Sequence, residues 1–234
     1  MNQSFPTLQD MASNLALDSN AIEVIRQPLY DYNIYPAAGI LQLPFFQTAI
    51  GNGLSAAPGN ATNPKTLADT NMVANGTLPA PQAYWVHGIE VMVDPGSSAV
   101  ANTFALQPPT AFAAASANTV QAGETDCIRI RNSGVLTFAI STKVYYQEGP
   151  LKRFPSRAHP RLSAAVTTTS TSVGELVKAR YSCIGDPVVI DPGIGIMTSQ
   201  NFGVTLNWPV LVALPTNNAR IGVMLNGWLF RAVQ

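Results

Sequence analysis

The sequence predicts an all-β protein, and three observations lead there. Behind residue 82 the apolar residues come in short runs, each cut off by proline, glycine or asparagine. Several runs alternate: Phe202, Val204, Leu206 and Trp208 interleave with Asn201, Gly203, Thr205 and Asn207, and Leu136, Phe138 and Ile140 with Thr137, Ala139 and Ser141. A period of two puts one row of side chains into a core and the other toward solvent or a neighbour. Ile128 and Ile130 read the same way against Asp126, Arg129 and Arg131, and no comparable run in this part of the chain has a helical period.

The elements follow in order. Asn14 to Ile25 reads as a short helix capped by Asp18 or Ser19 and closed by Pro28. An aromatic segment follows at Tyr30, Tyr32, Ile34 and Tyr35. Ile40 to Ile50 then supplies one or two edge strands interrupted by Pro44, and Gly51 to Thr66 is extended loop rich in Gly, Ala, Asn and Pro. Residues 1–68 are therefore expected to form an arm or clasp, laid over the body or over a neighbour, or else a loosely held tail.

The body, residues 69–234, carries candidate strands at 83–93, 102–107, 126–131, 135–141, 143–147, 177–184, 187–190, 194–197, 202–208, 210–214 and 219–231. Some are halves of one bent strand, which brings the total to about eight. Ala111 to Asn118 is one helical turn or a loop, and the Thr/Ser run Thr167 to Ser172 an edge or an exposed loop. Asn226-Gly227 is a turn pair that favours a tight hairpin. Its flanks are short and apolar on both faces, so a single central strand with glycines at close crossings is preferred.

Charged residues make up 11% of the 234, with 13 basic against 13 acidic. A soluble domain has roughly 25%, so solubility rests on Asn, Gln, Ser and Thr, and a neutral chain of this kind is prone to associate. Met1 to Pro6 has no basic n-region and no apolar stretch behind it, so no secretory signal is expected. Pro209 to Pro215 is among the longest apolar runs and is too short for a membrane span. Cys127 and Cys183 are expected as buried free thiols rather than a disulfide.

Catalytic and cofactor chemistry finds little to work with. A metal site needs convergent imidazoles with a carboxylate, and the chain has two histidines. His87 shares a strand with Trp85, Ile89 and Val91 and is expected to point with them as a hydrogen-bonded core residue; His159 lies in a loop. There is no Gly-x-Ser-x-Gly elbow, dinucleotide motif or P-loop, and Asp186 and Asp191 read as turn residues rather than calcium ligands. No catalytic, cofactor-binding or metal-binding residues are assigned, and no cofactor is expected. Sequons at Asn60 and Asn75 carry no weight without a signal. One basic concentration exists: Lys143, Lys152, Arg153, Arg157, His159 and Arg161, with Glu148 the sole acid among them. Prolines 150, 155 and 160 make it an extended loop, which is expected to face solvent or another subunit in preference to a genome or an internal membrane. Sequence-specific nucleic-acid binding is not expected, and the N-terminal segment has no basic arm.

Several phrases resemble the jelly-roll capsid proteins of icosahedral, tailless bacteriophages, some of which enclose an internal membrane. They are Asp69-Thr70-Asn71-Met72 with Gly76 to Gln82 leading into Tyr84 to Val93, Lys143 to Leu151, Phe202 to Trp208, and Leu225 to Arg231. The resemblance covers residues 69–234. It implies an eight-stranded antiparallel jelly-roll β-sandwich with an extended N-terminal arm, acting as a virion structural protein without catalysis. Its partners would be copies of itself, as trimers or other capsomers, and other virion proteins, with assembly in the host cytoplasm. Many such phages carry two jelly rolls in one chain. The strands here suffice for one, which favours a single-jelly-roll shell or vertex protein over a compact double version. A spike or receptor-binding module and a cupin-like enzyme are the competing classes.

Overall fold

The computed structural model of the chain describes residues 6–57, 62–94, 127–154, 159–169, 172–182, 186–214 and 218–233, with 159–169 and 172–182 in backbone only. Its strands are β1 (Ile22–Arg26), β2 (Leu29–Tyr35), β3 (Gln42–Phe45), β4 (Gln82–Asp94), β5 (Val135–Ile140), β6 (Lys143–Glu148), β7 (His159–Thr169), β8 (Ser172–Ser182), β9 (Val188–Ile196), β10 (Phe202–Asn207) and β11 (Ala219–Ala232). All pairings are antiparallel.

One sheet runs β1-β11-β4-β9, with β2 also on β11; the second runs β3-β10-β5-β6. β1 and β2 share one edge, because the two halves of β11 pair with Arg26–Ile22 and with Tyr35–Leu29. The pairs are nested: β1 and β2 with β11, β3 with β10, β4 with β9, β5 with β6. β7 and β8 form a separate hairpin that joins neither sheet.

The alternating rows predicted from the sequence meet in one core. Phe138, Ile140, Val204 and Leu206 of one sheet and Val86, Val91, Ile221 and Val223 of the other belong to the same buried cluster, so the sheets pack face to face as a sandwich-like pair. Burying such a side chain contributes about 1.5–3 kcal/mol each. A second cluster lies outside the first sheet, where helix α1 (Leu8–Leu15) lays Met11, Ala12 and Leu15 against Ala83 and Phe230.

The structure corrects several expectations. The N-terminal helix lies earlier than Asn14–Ile25: Thr7 and Asp10 form a reciprocal capping box, and Ala16 ends the helix in the left-handed region at φ 54°. Asp18 caps only a single 3₁₀ turn, Ser19–Ala21. β-branched Ile22, Val24 and Ile25 then pair with β11. Residues 127–133 are helical, not a strand. Cys127 and Ile130, three apart, are buried while Ile128 is exposed, so the period is helical where four alternating residues suggested two. The 210–214 segment is loop, following Pro209. Of the one or two edge strands anticipated within Ile40 to Ile50, one is present, β3 at the edge of the second sheet, while β1 and β2 are strands where a helix and an aromatic segment were read.

β11 is one unbroken strand through Asn226-Gly227. A Cβ at Gly227 would lie 2.0 Å from the Trp85 carbonyl oxygen, so only glycine fits that crossing. Opposite it, Val86 pairs with Gly227 and Gly88 with Asn226, leaving His87 as an extra residue. That bulge breaks the parity of the strand. Ile89 and Val91 enter the core, whereas half-buried His87 meets Trp228 at 4.5 Å between ring centroids and donates from Nδ1 to the Asn226 carbonyl at 2.9 Å. His87 therefore does not point with Ile89 and Val91 as expected. The 102–107 strand and the Ala111–Asn118 segment lie outside the described residues.

Candidate interaction surfaces

A surface used by a partner is either a strand edge, a sheet face or a loop cluster, and among the described residues the β2, β3, β6 and β9 edges are each covered, short or irregular. The β2 edge is covered by the 69–71 segment: Tyr32 N donates to Asp69 O (2.8 Å) and Asn71 N to Tyr30 O (3.3 Å). β3 is four residues long and contains Pro44. β6 carries a bulge at Tyr145, between Phe138/Tyr146 and Ala139/Val144. β9 is irregular: its ladder to β4 skips Ile190 to Gly193, a stretch that contains Pro192. Bulges, prolines and short strands keep edges from templating another chain. Partners of the two sheets are thereby directed to faces and loops.

The loops cluster at two ends. At one end, residues 46–57 and 62–76 fold back over β2 and are held by buried charge. Lys65 Nζ lies 2.6 Å from Asp31 Oδ1, with both side chains almost fully buried, and Phe46 N donates to Asp31 Oδ2 at 2.7 Å. Burial pushes the Asp31 pKa up, against the opposing pull of Lys65. Asp69 behaves differently. Burial pushes it up too, but donors from Thr66 N, Ser55 Oγ and Ala56 N, with Arg220 3.9 Å away, bring it below the usual carboxylate range. Arg220 also lies 3.9 Å over the Tyr32 ring. Burial raises the Tyr32 pKa to about 12, with Arg220 opposing.

At the other end, 37–41 and 208–214 run against each other. Trp208 N donates to Leu41 O and Leu214 N to Ala37 O, both at 2.8 Å, and Tyr35 Oη donates to Val212 O at 2.8 Å. Trp208 is buried, its Nε1 donating to Ile130 O at 3.1 Å and its ring edge-on to Tyr35. This rigid seat presents Leu41, Val210 and Leu211 to solvent at 49%, 62% and 60% exposure. No Asp, Glu, Lys or Arg occurs from 32 to 64 or from 192 to 219. Sequence reading took 210–214 for a strand and missed this tip; the charge-free run was the available signal.

The basic concentration does not form one described patch. Lys143 begins β6, 5.1 Å from the Tyr145 ring centroid. Lys152 and Arg153 lie in a 3₁₀ turn, Leu151–Arg153, beyond the other end of that strand, where Arg153 Nη1 is 2.7 Å from Glu148 Oε1. Five residues of strand separate Lys143 from Glu148 by about 17 Å. The extended loop is thus a 3₁₀ turn followed by β7, which starts at His159 and contains Arg161; Arg157 lies outside the described residues. Cys127 is buried, its Sγ donating toward Val93 O at 3.6 Å, while Cys183 lies outside the described residues. Asp186 and Asp191 are exposed. Among the described residues no three His, Cys, Asp or Glu side chains gather as metal ligands, and no helix is long and apolar enough to cross a membrane. Compared with protein family models, curated proteins and solved structures, the chain matches none.

Proposed function

We propose that this chain is a single jelly-roll subunit that self-assembles into the icosahedral shell of a tailless bacteriophage, with no catalytic step. The observation that carries the reading is the strand order. A long nested hairpin with β1/β2-β11-β4-β9 facing β3-β10-β5-β6 supports the jelly-roll reading. The first sheet draws on strands from residue 22 to residue 232 and the second from 42 to 207, so their strands interleave along the chain, which favours one jelly roll over two. Since a fold hosts many functions, the assembly role leans on further features: 11% charged residues with no net charge, and aliphatic side chains held rigidly in solvent at a loop tip. The test is the assembly state of purified protein by multi-angle light scattering and negative-stain imaging. Discrete capsomers or closed shells are expected; a folded chain that stays monomeric at every concentration overturns the reading.

A further inference from the structure

The chain contains three Asn-Gly pairs, Asn52-Gly53, Asn75-Gly76 and Asn226-Gly227. Such a pair can modify itself, because the glycine nitrogen has no side chain beside it and its backbone turns freely enough to reach the asparagine carboxamide. We propose that the fold leaves the first of the three pairs open to reaction and closes the other two. Asn52 is then a site of spontaneous deamidation, and its product loosens the loop that carries Lys65. The site is separate from the assembly role and does not depend on it.

Exposure does not separate the pairs, since Asn52 and Asn75 both face solvent. Hydrogen bonding does. Asn75 Oδ1 accepts from Ala49 N at 2.7 Å, and Gly76 N donates to Phe46 O at 2.9 Å. Asn226 donates from Nδ2 to Glu90 Oε1 at 2.8 Å, and its pair lies inside β11, in register with β4. Among the described residues neither the Asn52 carboxamide nor the Gly53 N–H has such a partner. Gly53 sits at φ 63°, and a Cβ there would lie 2.7 Å from Thr48 Cγ2, so the loop itself calls for glycine behind Asn52. The reaction needs no reagent but water. Gly53 N gives its proton to water and bonds to Asn52 Cγ; the Cγ–Nδ2 bond breaks, and the nitrogen takes up a proton and leaves as ammonia, with nothing oxidised or reduced. Water then opens the succinimide at either carbonyl. One opening gives aspartate. The other gives isoaspartate, in which the chain runs through the side-chain carbons and the former main-chain carbonyl of Asn52 becomes a free carboxylate. That carbonyl accepts from Lys65 N at 3.2 Å, beside the bond from Gly51 N to Lys65 O at 2.8 Å. Isoaspartate thus takes one of these two fastenings out of the main chain next to Lys65, whose Nζ is buried on Asp31. It also places a negative charge in the stretch 32–64, which has no charged side chain.

The test holds the folded, full-length native chain in mildly alkaline buffer and follows all three pairs by peptide mapping and mass spectrometry. Electron-transfer fragmentation identifies isoaspartate. Asn52 should convert with isoaspartate among its products, while Asn75 and Asn226 convert at least about tenfold more slowly, because reaction there waits for local opening. In denaturant the three should convert at similar rates, so that the selectivity is traced to the fold. Hydrogen exchange of the Lys65 amide should quicken as the native chain ages. It should stay constant in an Asn52→Gln chain held alongside, where the cyclic intermediate is larger and slower to form. A folded chain in which Asn75 or Asn226 converts as fast as Asn52 overturns the proposal. So does one in which Asn52 stays intact while the denatured chain reacts. Conversion of Asn52 with unchanged exchange at Lys65 overturns the coupling to the loop.

Discussion

The two ends of the sandwich solve the same problem, holding long loops in place, by opposite means. At the 46–76 end the loop is fastened by charge taken out of water: Lys65 on Asp31, and Asp69 under Ser55, Ala56 and Thr66. At the tip the loops are fastened by backbone hydrogen bonds and the buried Trp208, and no charge takes part. The difference teaches where each end is fragile. Buried charge fails when one partner is removed, because the other is left unpaired in a poor solvent; a charge-free seat fails only when its packing does.

The sharpest way to break the comparison is Lys65→Met. Stranding Asp31 should cost about 3–5 kcal/mol, while the double variant D31L/K65M should recover most of that loss. Urea unfolding of the single and double variants measures it, and an additive double variant would mean that the pair is not coupled.

Asp69→Asn comes next, at about 2–3 kcal/mol at neutral pH, since several donors lose an ionised acceptor. Its folded pKa lies below the ordinary value of 3.8. The stability it contributes is therefore present above that ordinary value and is lost as pH falls through the folded one. Denaturant midpoints of the native and D69N chains should converge as pH falls through the folded pKa. Asp31 runs the other way: with its pKa raised, protonation on acidification favours the folded state, so the Lys65 pair is not an acid latch.

Trp208→Phe is the counterpart at the tip and the smallest effect. It removes one hydrogen bond, to Ile130 O, for about 1 kcal/mol. Hydrogen exchange of the Trp208 and Leu214 amides should quicken, while that of Lys65 and Tyr32 should not change.

Much of the sandwich was legible in the sequence because a half-buried strand writes its burial into every second residue, as Phe202 to Asn207 and Val135 to Ile140 do. What failed, failed where a single residue or a distant partner decides. The His87 bulge reverses the parity of β4 with no composition change to announce it. Cys127 to Ser133 is too short for two periods to be told apart without knowing that Ile130 seats beneath Trp208. The Lys65–Asp31 pair joins residues 34 positions apart that carry no local pattern at all. The tip was hidden for a plainer reason: an apolar run reads as core until its exposure is known.

The nested pairing has a consequence for the order of events during synthesis. Among the described strands β1 and β2 pair with β11 alone, nearly two hundred residues later in the chain. Until residues 219–232 have left the ribosome, Ile22 to Tyr35 has no sheet to join, and the inward side of β4 lacks its neighbour. Such long-range pairing is slow to form, and until then Ile22, Ile25 and Leu29 and the core-facing Ile89 and Val91 of β4 lack the strand they pack beside. A nascent chain stalled short of β11 is therefore expected to be sticky rather than merely incomplete, and the last strand made is the one that renders the earlier ones safe.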